Sequence, residues 1–305
     1  AAIVLAGTGT ARTVTATPVG DQNGSADVTI TVTDVAGNSA SDTFILAVTA
    51  VNDAPVLAAH TPNLGTTSED TTTAGIVIST FVVNGAGTAN TATGLSEVDA
   101  APVRGIALSA RTGSGTWQYS TDGTTWKTVG TVSSAAALLL TDATQMRYAP
   151  GQQNAETATL SYYGWDRSSG TAEASVDLSG NGATGGTTAF STGTDTASLT
   201  VTAVNDAPVL SGGPHTMTPV TEDTTTAGVA VSAVLASFTN TDVDTGAAAR
   251  GVAVTAKVGN GTWQYSTDGT TWSALGTVST TAAALLGNST QVRYVPDAKN
   301  AETAT

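Results

Sequence analysis

The chain has no cysteine, only 10 lysines and arginines, two histidines, two methionines and an aromatic content of 5%. Each shortage removes a class of chemistry. Without thiols there are no disulfides, no cysteine-ligated zinc and no thiol nucleophile. Nucleic acid needs clustered lysine and arginine against its phosphates, so basic residues this few and this scattered argue against it as a partner. No apolar run is long enough to cross a bilayer, which argues against membrane insertion of this segment. The opening Ala1-Ala2-Ile3-Val4-Leu5-Ala6 lacks the basic flank and length of a signal peptide and reads as a strand. His60 and His215 occupy equivalent places in loops containing proline and glycine, with no second histidine near either. There is no Gly-x-Ser-x-Gly elbow, lysine-bearing phosphate loop or histidine-rich metal signature. The chain reads as no enzyme.

What is present is threonine, alanine, glycine, serine and valine in quantity, 40% hydrophobic residues, and 24 acids that bring the net charge to −14. A weakly charged, β-branched composition suits many short strands better than helices, and the apolar content argues against disorder. The expected class is all-β. A secreted chain without disulfides needs another staple, and the acidic excess makes a hard cation the natural candidate.

The sequence repeats itself. Val48 to Leu57, reading Val-Thr-Ala-Val-Asn-Asp-Ala-Pro-Val-Leu, returns letter for letter as Val201 to Leu210. Each copy alternates like a strand and then places Asn-Asp before a proline, which ends the ladder. Glu69 to Gly75 recurs 153 residues later as Glu222 to Gly228, and Gly115 to Trp126 recurs 146 residues later as Gly261 to Trp272. The difference of seven places a longer loop between Gly75 and Arg104, at Asn84 to Thr88. Three modules follow: 1–51, the C-terminal part of a domain; 52–204, a complete repeat with an inserted loop near 168–190; and 205–305, a second copy lacking its last strands. Residues 1–51 and 205–305 read as a window on a longer chain. The inserted loop, weakly apolar between Ser168 and Thr188, is expected to be a surface hairpin or mobile flap.

The Trp117-Gln118-Tyr119-Ser120-Thr121-Asp122-Gly123-Thr124-Thr125-Trp126 stretch is a hairpin signal with Asp122-Gly123 as its turn. Its aromatics fill a core on the plainer reading and form a sugar-binding platform on the sharper one. Acids gather in sequence about both junctions and offer the six to eight oxygens that calcium takes.

The Val-Asn-Asp-Ala-Pro junction resembles the interdomain linker of cadherins and of the cadherin-like, immunoglobulin-like repeats of giant bacterial surface adhesins, and the whole chain reads like such an array. The resemblance implies tandem β-sandwich domains in an elongated array, with calcium between successive domains. It assigns Asn52, Asp53, Glu69, Glu97, Asp99 and Asp34 to the first junction, and Asn205, Asp206, Glu222, Asp242, Asp244 and Asp166 to the second. The chain departs from the animal linker in having no second asparagine after the aspartate and no Asp-Arg-Glu triplet. The function implied is an extracellular spacer at the bacterial cell surface, in adhesion, biofilm cohesion or a fibre. Its partners would be neighbouring domains of the same chain, copies of itself, or host and glycan surfaces. Two alternatives stay open: a carbohydrate-binding module using Trp117, Tyr119 and Trp126, or Trp165 beside the Ser168 loop; and a subunit of a self-assembling filament.

Overall fold

A computed structural model of the chain describes residues 2–9, 11–58, 60–82, 94–99, 104–152, 154–244, 250–299 and 301–305. The fold is all-β. The chain divides into two compact units, Ala1–Thr202 and Ala203–Thr305. The long loop expected at Asn84 to Thr88 lies outside the described residues.

The first unit runs β1 (Ala2–Ala6), β2 (Thr13–Thr17), β3 (Gly24–Thr33), β4 (Ser39–Val48), β5 (Val56–Ala58), β6 (Asn63–Ser68), β7 (Ile76–Val77), α1 (Ile78–Val82), β8 (Gly94–Ser96), β9 (Gly105–Arg111), β10 (Thr116–Ser120), β11 (Lys127–Thr128), β12 (Ala137–Thr141), β13 (Gln145–Ala149), β14 (Glu156–Trp165), β15 (Ser175–Val176) and β16 (Phe190–Thr202). Period-two alternation explains the strands. In β14, Ala158, Leu160 and Tyr162 are buried while the hydroxyl residues between them are not. A six-stranded sheet has the order β15-β12-β9-β14-β16-β6 and a four-stranded one the order β11-β10-β13-β7. Only the β16–β6 pairing in these two sheets is parallel.

Inward residues of both sheets share one core. Trp117, Tyr119, Met146 and Tyr148 of the smaller sheet join Ile106, Leu108, Leu140, Leu160, Tyr162 and Leu199 of the larger. Trp117 and Tyr148 lie with ring centroids 4.8 Å apart, and the Trp117 indole N–H donates to the Thr112 carbonyl at 2.9 Å, so its polar edge is satisfied inside. The hairpin aromatics Trp117 and Tyr119 therefore point into the core and present no face to a sugar. Trp165 is equally buried, and the Arg147 guanidinium stacks 4.0 Å from the centroid of Trp126.

The inserted stretch, expected to be a surface hairpin or mobile flap, packs against the large sheet. Leu178, Ala189 and Phe190 form a second core with Trp165, Leu139, Ala137 and Ala107. Backbone bonds from Leu139 N–H to the Ala174 carbonyl (3.0 Å) and from Leu178 N–H to the Ser134 carbonyl (2.6 Å) fasten it to the β12 edge. Enough of its few apolar residues face inward to bury the outer side of the large sheet. At Gly164 a Cβ would meet the end of the Leu95 side chain at 2.2 Å, so any larger residue would displace Leu95 from its place in the core.

Residues 1–50 repeat part of this pattern as two separate ribbons. In β1–β2, Ile3 opposes Ala16 as Trp117 opposes Tyr148; in β3–β4, Ile30 opposes Asp42 as Tyr162 opposes Asp195. The apolar side chains are less covered here: Phe44 is 45% and Leu5 74% exposed, while Val14, Val28, Leu46 and Val48 are half-buried.

The second unit holds β17 (Val209–Ser211), β18 (Val229–Ala230), α2 (Val231–Leu235), β19 (Thr239–Thr241), β20 (Gly251–Val254), β21 (Thr262–Ser266), β22 (Ser273–Ala274), β23 (Ala284–Gly287) and β24 (Gln291–Val295). Its β18-β24-β21-β22 sheet repeats β7-β13-β10-β11, and β20–β23 repeats β9–β12. Its core is small, with Val231, Leu275 and Leu286 buried and Trp263, Tyr265, Val252 and Val254 half-covered around them.

Candidate metal centre

The junction Asn52-Asp53 is brought against three distant carboxylates at one end of the first unit. Short β5 follows the junction and pairs antiparallel with β8, so the chain leaving β8 delivers Glu97, Val98 and Asp99 back beside Asp53. The Asp53 N–H donates to Asp99 Oδ2 at 2.9 Å. The end of β14 supplies Asp166, and the approach to β16 supplies the Thr188 carbonyl. The Asn52 side-chain amide reaches Asp166 Oδ2 at 3.0 Å, the Thr188 carbonyl at 3.1 Å and the Asp53 carbonyl at 3.2 Å. The Ala54 N–H to Gly186 carbonyl bond, 2.8 Å, holds the junction to the same loop.

This end carries four carboxylates, those of Asp53, Glu97, Asp99 and Asp166. Among the described residues no lysine or arginine pairs with any of them. Arg167 follows Asp166 but turns its guanidinium toward the Trp165 ring. Glu97 shows the strain most clearly. Burial pushes its carboxyl up, and the nearby charges of Asp166 and Asp99 add to the rise, while the N–H groups of Asp99 and Val98 act against it. Its Oε1 accepts those N–H groups at 3.3 and 2.9 Å, whereas its buried Oε2 has no hydrogen-bond partner among the described residues. A buried carboxylate oxygen without a donor is costly, and an ion is one remedy. The donor set is all oxygen and suits a hard cation such as calcium. Asn52 would contribute its side-chain oxygen after a flip of the amide.

The second unit repeats the arrangement. Asp206 N–H donates to Asp244 Oδ2 at 2.9 Å, Asp244 N–H to Asp242 Oδ1 at 3.1 Å, and the Asn205 side chain to the Asp206 carbonyl at 3.0 Å. Glu222 is exposed in a turn and makes no hydrogen bond or ion pair with these four residues.

Three of the expected residues stand elsewhere. Asp34 lies in the turn of the β3–β4 ribbon, whose strands of ten residues span about 30 Å. Asn52 follows the other end of β4, so the two cannot share an ion. Asp34 instead accepts from Ala36 N–H, Asn38 N–H and the Asn38 side chain within its own turn. Glu69 is also distant from Asn52. Its N–H bonds the Thr202 carbonyl at one end of β16, while Asn52 bonds Thr188 beyond the other, roughly 40 Å away along the strand. Asp166, grouped by the resemblance with the second junction, stands in the set around Asn52.

One constellation was missed in the sequence. Asp195 shares the inward phase of Ala197, Leu199 and Val201 on β16, and a charged residue in an apolar phase signals a partner. That partner is His60, whose Nδ1 lies 2.8 Å from Asp195 Oδ2 and whose Nε2 lies 2.9 Å from the Phe81 carbonyl. The N–H groups of His60 and Thr61 also reach Asp195, at 3.3 and 3.2 Å, which holds Thr61 in a left-handed conformation at φ 49°.

No protein-family model, no curated protein and no solved structure matches the chain.

Proposed function

We propose that the chain is a spacer segment of a large secreted or cell-surface bacterial repeat protein, made of tandem immunoglobulin-like or cadherin-like β-sandwich modules stiffened by calcium. It would serve adhesion, biofilm cohesion or an extracellular fibre. The observation that carries the reading is the convergence of Asn52, Asp53, Glu97, Asp99, Asp166 and the Thr188 carbonyl at the point where the junction meets its module, with Glu97 Oε2 lacking a donor among the described residues. Bound calcium supplies positive charge to oxygens that otherwise repel one another.

The residues divide the labour. Asp99 and Asp166 tie the junction through Asp53 and Asn52 even without an ion. With the ion, the same carboxylates and Glu97 hold the junction against its module more tightly, so the chain entering the module loses freedom. Extracellular calcium modules bind at about 10⁻⁴ to 10⁻³ M, which would leave the segment stiff outside the cell and slack in the cytosol.

The test is thermal unfolding with calcium and with chelator. Calcium should raise the melting temperature of the wild type and of Asp34→Asn, and should do so much less in Asp99→Asn and Asp166→Asn. Equal responses in all four proteins would overturn the assignment, and no response in any would overturn calcium binding.

A further inference from the structure

The outward face of the four-stranded sheet in the first unit holds an arginine in a fixed pose that the junction site does not use. In β10 and β13 the residues Trp117, Tyr119, Met146 and Tyr148 point into the core, so Gln118, Gln145 and Arg147 face out. Gln118 opposes Arg147, and its Oε1 accepts from Arg147 Nε at 2.7 Å. The guanidinium also lies over the Trp126 ring, 4.0 Å from its centroid. Stacking and the glutamine bond fix the plane of the fork while leaving its two terminal amines open. Among the described residues neither amine donates a hydrogen bond, and no carboxylate pairs with Arg147. Gln145 stands two residues along the same face, and its amide has no hydrogen-bond partner among the described residues. A Cβ at Gly75 would lie 2.2 Å from Gln145 Oε1 and 3.0 Å from the Trp126 ring, so the bare backbone there leaves the amide its room.

The second unit builds the same platform. Arg293 Nε donates to Gln264 Oε1 at 2.8 Å, the guanidinium lies 4.0 Å from the Trp272 centroid, and a Cβ at Gly228 would lie 2.5 Å from Gln291 Oε1. The surroundings differ between the copies: Met146 is matched by Val292 and Lys127 by Ser273. The tryptophan, the arginine and both glutamines are the same. In a chain of net charge −14, each unit thus holds one cation rigid and unneutralised on a half-exposed face. The side chains beside it are amides and hydroxyls, with Thr128 opposite Gln118 on β11.

We infer that each platform binds a carboxylate-bearing sugar. The terminal amines of Arg147 clasp the carboxylate, and the side-chain amides of Gln118 and Gln145 donate to sugar hydroxyls; Arg293, Gln264 and Gln291 do the same in the second unit. Two parallel N–H bonds to a carboxylate supply direction as well as strength. An extended peptide is the poorer match, because β10 and β13 are each paired on both sides, which closes main-chain addition on this face. Nucleic acid needs a run of cations along its phosphates, and each face offers one. The inference goes beyond the spacer reading and requires no ion.

Isothermal titration of trigalacturonate into the full chain in calcium-free buffer tests it, with the fully methyl-esterified trimer and neutral galactotriose as comparisons. The acid should occupy two sites per chain, and the ester and the neutral sugar should bind at least about tenfold more weakly, since the charge-assisted bonds are gone. The ester comparison leaves the protein untouched and so does not depend on how a variant folds. In heteronuclear NMR the Nε–H signals of Arg147 and Arg293 should move as the acid is added. Arg147→Lys should halve the stoichiometry, and Arg147→Lys combined with Arg293→Lys should abolish binding, because an ammonium keeps the charge but not the planar fork. Absence of saturable heat, equal binding of the ester, both sites retained in the double variant, or inorganic sulfate binding as tightly as the trimer would overturn the inference.

Discussion

Leu139 and Leu285 provide a comparison in which sequence position is equal and environment is not. Both sit at the same register of equivalent strands, opposite Ala107 and Ala253 respectively. Leu139 is 1% exposed beneath Trp165, Leu178 and Phe190, whereas Leu285 is 81% exposed. Full burial of a leucine side chain contributes about 1.5–3 kcal/mol, so four-fifths of that, roughly 1.2–2.4 kcal/mol, separates the two positions by transfer alone. The cavity left by Leu139→Ala raises its cost to about 3 kcal/mol, within the 2–5 range for such truncations. For a unit of this size that lowers the melting temperature by about 6–12 °C. Leu285→Ala should cost no more than about 0.5 kcal/mol. Urea denaturation followed by hydrogen exchange on peptides from each unit would read the two effects separately. A loss below about 1 kcal/mol for Leu139→Ala, or equal losses for both, would refute the packed cover formed by residues 168–190.

Two more outcomes follow from buried polar groups. Burial pushes Tyr148 up to about 12, with its bond to Glu156 adding to the rise. Burial also pushes Glu156 up, but bonds from Tyr148 and Ser114 outweigh it and hold the carboxyl below its usual value. Tyr148→Phe removes that donor and the acceptor of the Gly115 N–H, so it should cost about 1–3 kcal/mol at neutral pH. Because the folded-state value of Glu156 is depressed, its contribution is present above the ordinary glutamate range and is lost as pH falls through the folded value; acid unfolding of Tyr148→Phe should therefore begin at higher pH. Asp195→Ala, which leaves His60 buried without its partner, should destabilise the first unit by about 3–5 kcal/mol in chemical denaturation, and His60→Ala by a comparable amount.

Much of the architecture is legible in the residues. Alternation in β10, β13, β14 and β16 predicts strands, and Asp122-Gly123 predicts the turn it makes, with Gly123 at φ 74°. The nearness of Asn52-Asp53 to the Glu97-x-Asp99 pair is legible because the motif recurs at Asn205-Asp206 and Asp242-x-Asp244. Less legible is which end of a strand an acid occupies. Asp34 and Glu69 lie close to Asn52 in sequence, yet an extended strand carries each of them tens of ångströms away. Asp166 comes from 114 residues off because the antiparallel pairing of β14 and β16 ends beside the junction. The packing of the insert is hard to read for another reason: its glycine and serine content reads as a loop, which it is over most of its length, while a few residues, Leu178, Ala189 and Phe190, decide that it packs.

The central claim is that the junction and its module hold calcium through side chains of the same module. Isothermal titration of calcium into the chelator-stripped protein tests it most directly. The account predicts saturable binding at about 10⁻⁴ to 10⁻³ M, and at about 10 mM calcium a stabilisation of about 1.4–2.7 kcal/mol. Asp166→Asn and Glu97→Gln should each weaken binding by the first unit, while Asp34→Asn leaves it unchanged. Absence of saturable heat, or undiminished binding in a protein carrying both Asp166→Asn and Glu97→Gln, would contradict it.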